Sequence, residues 1–144
     1  MGTIERNKRL AKRWPFLVLR IDYWTGKLLP EDEIDYTHTW WDDIPKGWAK
    51  AFGKQMCDEL LEILKEGDYV DQYRIVQIKE KFGGLRWYDN GVPVSISDKY
   101  DAWLATYEKL SFETCVLCGE PATEMTHGWI MPVCSTCFDK TENR

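Results

Sequence analysis

The sequence predicts an α+β chain: a small antiparallel sheet, two helices and a C-terminal ribbon built on cysteines. Three observations carry that expectation. Residues 46–66 place Trp48, Phe52, Met56, Leu60, Ile63 and Leu64 at three- and four-residue spacing, the pattern of one buried helix face. Residues 73–88 hold two runs rich in Ile, Val and aromatics around Gly83-Gly84, the pattern of a hairpin. Cys115, Cys118, Cys134 and Cys137 form two CxxC pairs near the end of the chain. The expected division is an α+β domain with a basic N-terminal arm over residues 1–111, then a ribbon module over 112–144.

Taken in order, residues 1–13 read as a loose or helical basic arm. Arg6, Lys8, Arg9, Lys12 and Arg13 oppose only Glu5 there. Trp14-Pro15 opens an apolar run, Phe16 to Ile21, that reads as a strand, and Thr25-Gly26 reads as the turn after it. Residues 28–46 carry Pro30, Pro45 and a row of acids, and read as a long loop with short extended pieces near Tyr36 to Trp41. The acidic stretch from Asp22 to Asp43 could attract the basic arm. Asp43 is a candidate cap for the helix over 46–66, with Pro45 in its first turn and Gly67 as its stop. Cys57 lies beside the apolar stripe and reads as a small buried hydrophobe. Asn90-Gly91 marks another turn. Ser97 is a candidate cap for a second helix, Asp98 to about Leu110, with Tyr100, Trp103, Leu104, Tyr107 and Leu110 on one face.

Composition narrows the function classes. The chain has 144 residues and a net charge of −5, which argues against binding bulk DNA through its phosphates. No apolar run is long enough to span a bilayer. The polar start lacks the apolar segment of an export signal. A reducing cytoplasm is therefore expected, where paired cysteines read as metal ligands rather than disulfides. Eight Trp residues either fill a core or line a surface that grips something.

The two CxxC pairs are separated by fifteen residues, Gly119 to Val133, a spacing that suits a four-cysteine zinc site. Each CxxC turn presents two soft sulfurs to one Zn²⁺, and Gly119 lets the first turn aim its amides at sulfur. Four thiolates leave no open position for water or substrate, so a structural role is expected. His127 lies between the pairs and reads as a surface or strand histidine.

Enzyme patterns are missing or incomplete. The H-x-E and P-C-x-x-C elements of base deaminases fail here. Pro132-Val133-Cys134 inserts a residue, and neither His38-Thr39-Trp40 nor His127-Gly128-Trp129 supplies the glutamate. An HNH-like nuclease is the nearest metal-dependent alternative, but fifteen residues leave scant room for its ββα element. P-loop, H-E-x-x-H, G-x-S-x-G and dinucleotide fingerprints are absent.

The most distinctive stretch is Lys79 to Tyr88. Lys79, Lys81 and Arg86 supply cations, Gly83-Gly84 can expose backbone amides to an anion, and Phe82, Trp87 or Tyr88 can stack on a flat ring. Lys79, Lys81, Arg86, Trp87 and Tyr88 are the candidate ligand contacts. A half-buried sheet whose cations simply face water shows the same pattern.

The run RIVQIKEKFGGLRWYDNG at residues 74–91, the helix GWAKAFGKQMCDEL at 47–60 and the terminal CVLCG and GWIMPVCSTC segments resemble a family of small phage and bacterial-genome proteins. WPFL and WTGK, within residues 14–27, resemble one subgroup. The resemblance implies a phage or prophage setting, hence a host cytoplasm, and is in keeping with a zinc ribbon. It brings no catalytic residues.

The expected function is non-catalytic capture of a small anionic, nucleotide-like ligand, such as a host-defence nucleotide signal. A homo-oligomer would suit such capture, because subunit boundaries make good pockets. The alternative is a zinc-ribbon adaptor for a host or phage protein. The ribbon is acidic, with Glu113, Glu120, Glu124, Asp139 and Glu142 against Lys140 and Arg144, which favours a protein over nucleic acid.

Overall fold

The computed structural model describes residues 2–142. Met1, Asn143 and Arg144 lie outside the described residues, as does the side chain of Glu142, so the charges expected of Glu142 and Arg144 have no structural counterpart here. The architecture is α+β. Helix α1 spans Thr3–Arg13, α2 Lys46–Trp48, α3 Lys54–Glu66, α4 Val94–Phe112 and α5 Ser135–Glu142. Strands β1 (Ile75–Lys81) and β2 (Gly84–Asp89) form one antiparallel sheet, and β3 (Glu124–Met125) and β4 (Pro132–Val133) form a second. Among the described residues, no helix is long and apolar enough to cross a membrane.

The basic start is helical, and it does meet the acidic stretch. Arg6 Nη2 donates to both carboxylate oxygens of Asp42, at 2.7 and 2.9 Å. Beneath that pair Asn7 is fully buried, and its amide donates to the Tyr36 carbonyl at 2.7 Å. One polar side chain thus fixes α1 on the loop that follows.

The strand expected over residues 16–21 does not form. Pro15–Leu17 is a 3-10 turn, and Ile21 contributes only an isolated bridge to Leu28. The reason is the burial pattern: Phe16, Leu17 and Val18 are buried in succession and Leu19 is exposed after them, so the run does not alternate between two faces. Residues 28–46 do form a long connection, with 3-10 turns at Glu31–Glu33 and Trp40–Asp43.

The helix expected over 46–66 is continuous, with a π turn at Ala49–Gly53 joining α2 to α3. Trp48, Phe52, Met56, Leu60 and Leu64 are buried along it. Cys57 is buried beside them, and burial pushes its thiol up. Asp43 is not the cap. Pro45 holds that position, and Asp43 instead accepts from His38 Nε2 at 2.9 Å. Gly67 ends α3, its N–H reaching the Ile63 carbonyl at 3.2 Å.

Helix α4 lies against α3. Trp103 Nε1 donates to the Met56 carbonyl at 2.9 Å, and the Tyr107 hydroxyl to Glu59 at 2.6 Å. The helix starts four residues earlier than the Ser97 cap implied, at Val94 behind Pro93; Ser97 lies in the first turns and donates to the Val94 carbonyl. Pro93 has its φ already fixed near the helical value, and its carbonyl accepts the Ile96 N–H at 3.1 Å; no side chain caps this end. Of the eight Trp, Trp14, Trp48, Trp87 and Trp103 fill the core.

The β1–β2 hairpin pairs Ile78 with Trp87, Lys79 with Arg86 and Lys81 with Gly84, with a bulge near Val76. Its inner face packs on α4. Trp87 meets the Trp103 ring of that helix edge-on, with ring centres 5.4 Å apart. At the end of α4 the Leu85 N–H donates to Ser111 Oγ at 2.9 Å, and a Cβ on Gly84, which shares the outer face with Arg86, would fall 2.4 Å from the Phe112 ring. At the far end of the hairpin, Trp87 Nε1 donates to the Tyr73 hydroxyl at 2.8 Å, and Tyr73 donates to Asp89 Oδ2 at 2.6 Å. The Tyr100 hydroxyl donates to the same oxygen. Burial, with the Asp89 carboxylate beside it, holds both phenols well above the ordinary tyrosine range. Asp89→Ala is expected to cost roughly 2–4 kcal/mol, because buried polar groups lose their partner. The check is a lower urea midpoint; an unchanged midpoint would mean that water replaces the carboxylate.

Candidate functional site

The four cysteines converge. One sulfur from each of Cys115, Cys118, Cys134 and Cys137 lies within 4.8 Å of all the others. A tetrahedral zinc with bonds of about 2.3 Å would set its sulfurs about 3.8 Å apart. Cys118 Sγ and Cys134 Sγ are 3.6 Å apart, so the donor set fits a metal ion of that size.

Local chain geometry builds the cluster. In the first knuckle the Gly119 N–H returns to the Cys115 carbonyl at 3.0 Å, with Gly119 at φ +88, a conformation that favours glycine. The second knuckle is the first turn of α5, where the Cys137 N–H points at Cys134 Sγ at 3.4 Å. The β3–β4 ladder and the Val116 N–H to Pro132 carbonyl bond (2.9 Å) clamp one knuckle to the other. The cluster also joins the helical core. The Gly47 N–H donates to the Val116 carbonyl at 2.9 Å, and Trp48 Nε1 to the Thr114 carbonyl at 3.0 Å. Cys115, Val116, Val133 and Cys137 are buried in one cluster with Trp48 and Phe52.

The thiols are unequal. Burial disfavours the Cys115 thiolate, but backbone bonds at Cys134, Cys118 and Leu117 outweigh it and bring the group to about 7. Cys118 is favoured as a thiolate by the backbone at Glu120, yet burial and the thiols of Cys134 and Cys115 leave it raised. Cys137 is pushed up to about 12, first by burial and then by its neighbouring sulfurs. Sulfurs this close cannot all ionise unaided, and a central cation removes the conflict. His127 is exposed and meets the Phe138 ring edge-on.

The second candidate region is the outer face of the hairpin. Strand alternation places Gln77, Lys79, Lys81, Arg86 and Tyr88 on that face. Lys79 and Arg86 stand directly opposite each other. No carboxylate pairs with Lys79, Lys81 or Arg86 among the described residues. Tyr88 is exposed beside them. Trp87 is not part of this face: it points inward, 3% exposed, with its indole N–H committed to Tyr73. It therefore cannot touch a ligand held there, because adjacent strand residues face opposite ways. Nor is the glycine turn an open cradle for an anion, since the Gly83 N–H donates to Glu80 Oε2 at 3.0 Å.

The sequence reading missed Trp129. It is 67% exposed in the loop between the knuckles, and its indole N–H reaches Glu80 of β1. The available signal was Gly128-Trp129-Ile130, an apolar run with no periodic partner. Set against protein-family models, curated proteins and solved structures, the chain matches none.

Proposed function

We propose that the protein is a non-catalytic binding protein, in which a zinc ion on Cys115, Cys118, Cys134 and Cys137 stabilises an α+β body whose outer sheet face takes a small anionic, nucleotide-like ligand. The observation that carries this is the pairing of Lys79 with Arg86, with Lys81 beside them and no carboxylate partner among the described residues, in a chain of net charge −5. Like charges directly opposite each other destabilise a sheet. An anion between them turns that repulsion into binding, and the Arg86 fork suits phosphate. Zinc fits the donor chemistry, and four thiolates saturate it, so the metal holds the fold rather than reacting. In the phage setting implied by the resemblance, such a protein would hold a host-defence nucleotide signal without turning it over.

Arg86→Gln tests the reading. Titration calorimetry with adenosine 5′-monophosphate should show at least a ten-fold weaker Kd in the variant. Its melting temperature should hold or rise slightly, because a like-charge pair is gone. A loss of stability would instead mark Arg86 as structural, and unaltered affinity would remove the sheet face from consideration. Recovery of intact nucleotide after denaturation checks that nothing is turned over.

A second reading, capture of a protein partner, has one observation of its own. The turn at residues 22–27 holds out Tyr23 and Trp24, the latter 88% exposed. Asp22 Oδ1 accepts the N–H groups of Trp24 and Thr25 at 2.8 Å each, which also lowers the Asp22 carboxyl below its usual range. A large aromatic on an ordered tip is the kind of anchor that dominates protein interfaces.

A further inference from the structure

We infer that the cleft between the hairpin turn and the loop at residues 126–131 is the slot for the ligand's flat heteroaromatic ring, with Phe82 and Trp129 as its walls. This rests on the anion-binding reading of the sheet face and adds the substrate class: a nucleobase, or a ring like it, carried next to the anionic group. The cleft has a volume of about 250 Å³ and is lined by Lys81, Phe82, Gly128, Trp129 and Ile130. That is room for one ring system rather than a peptide or a helix.

Both wall residues are exposed, at 70% and 67%, and neither contacts another aromatic ring among the described residues. Phe82 is also strained. It has φ +54 and is followed by Gly83 at φ +89, the two central positions of a tight hairpin turn. Asn, Asp and Gly are the usual residues at the first of these, and a bulky residue there is an outlier. Phe82 recovers nothing from the core for that strain, since its ring stands in solvent.

The walls are held in place across the chain. Glu80 accepts the Gly83 N–H through one oxygen and the Trp129 indole N–H through the other. Thr126 Oγ1 accepts the Met131 N–H at 2.9 Å and donates to the Trp129 carbonyl, which fixes the loop. The Glu80 carboxylate is thereby committed to the hairpin turn and to the Trp129 indole. Lys81 joins the two regions: it lines the cleft, with Nζ 5.5 Å from the Phe82 ring centre, and belongs to the cationic face of Lys79 and Arg86. A ring in the cleft would place an attached phosphate towards that face.

Titration calorimetry on the full-length, metal-loaded protein tests this with the four ribonucleoside 5′-monophosphates and ribose 5-phosphate. At least one nucleotide should bind about five-fold or more tighter than ribose 5-phosphate, the gain expected from one stacked base. Phe82→Gly and Trp129→Ala should each erase that preference and leave the ribose 5-phosphate Kd unchanged. Phe82→Gly should also hold or raise the melting temperature, because glycine accepts the left-handed backbone. If all five probes bind equally and Arg86→Gln weakens them all, the slot is wrong while the anion-binding face stands. A nucleotide preference that survives both substitutions overturns the slot as well. If no probe binds the unaltered protein, both readings fall together.

Discussion

Stripping the metal with a chelator, or replacing Cys115 by Ser, is expected to unfold the whole chain and not only the residues after 112. Cys115 is fully buried, and Val116 and Val133 share a cluster with Trp48, Phe52 and Tyr107. The first turn of the helix over residues 46–66 is hydrogen-bonded to the first knuckle through Gly47 and Trp48. Structural zinc contributes about 10–16 kcal/mol in comparable short modules. A domain's whole stability is about 5–15 kcal/mol. Losing the metal therefore removes a contribution as large as the whole stability of an ordinary domain. Far-UV circular dichroism at 25 °C should show most of the helical signal of α3 and α4 lost along with the metal. A metal-free protein that keeps that signal and melts cooperatively near the original temperature would show that the module is only an appendage.

Gly47→Ala is the second large effect, and its sign is informative. Helix propensity favours Ala over Gly by about 1 kcal/mol. Packing opposes it: a Cβ at position 47 would lie 2.1 Å from the Cys115 carbonyl oxygen and 2.6 Å from the Val116 carbonyl carbon. Both are backbone atoms of the first cysteine knuckle and cannot rotate away. The substitution must push the knuckle off the helix, which also lengthens the Gly47 to Val116 hydrogen bond. The expected net loss is about 3 kcal/mol or more, at the upper end for overpacking, with weaker metal retention in a chelator competition. Gly2→Ala, where a Cβ meets nothing within 4 Å, is the control. A gain in stability from Gly47→Ala would mean that the helix and the knuckle are not in this contact in solution.

Much of the fold could be read from the sequence because its signals are local. The stripe from Trp48 to Leu64 and the paired cysteines depend on spacings of three and four residues, and both lie where those spacings put them. Residues 14–18 could not be read the same way, since residues buried in succession show no period. The Ser97 cap was displaced by Pro93, four residues earlier in the chain. Within the hairpin, Arg86 and Tyr88 stayed candidates and Trp87 did not, a distinction that strand alternation alone carries once the Gly84 register is known. Trp129 was out of reach of any such rule. Its place is set by a carboxylate 49 positions away in the chain, and no local pattern encodes that bond.

The π turn at Ala49–Gly53 bears on how the long helix keeps one side inward. Trp48, Phe52, Met56, Leu60 and Leu64 recur strictly every four residues and all are buried. On a helix of 3.6 residues per turn each such step drifts about 40°, so four steps would carry Trp48 to nearly the opposite side from Leu64. A wider turn near the start takes up part of that rotation and acts as a phase correction. In an unbroken α-helix the same four steps would add up to about 160° and aim Trp48 away from the Thr114 carbonyl that now receives its indole N–H.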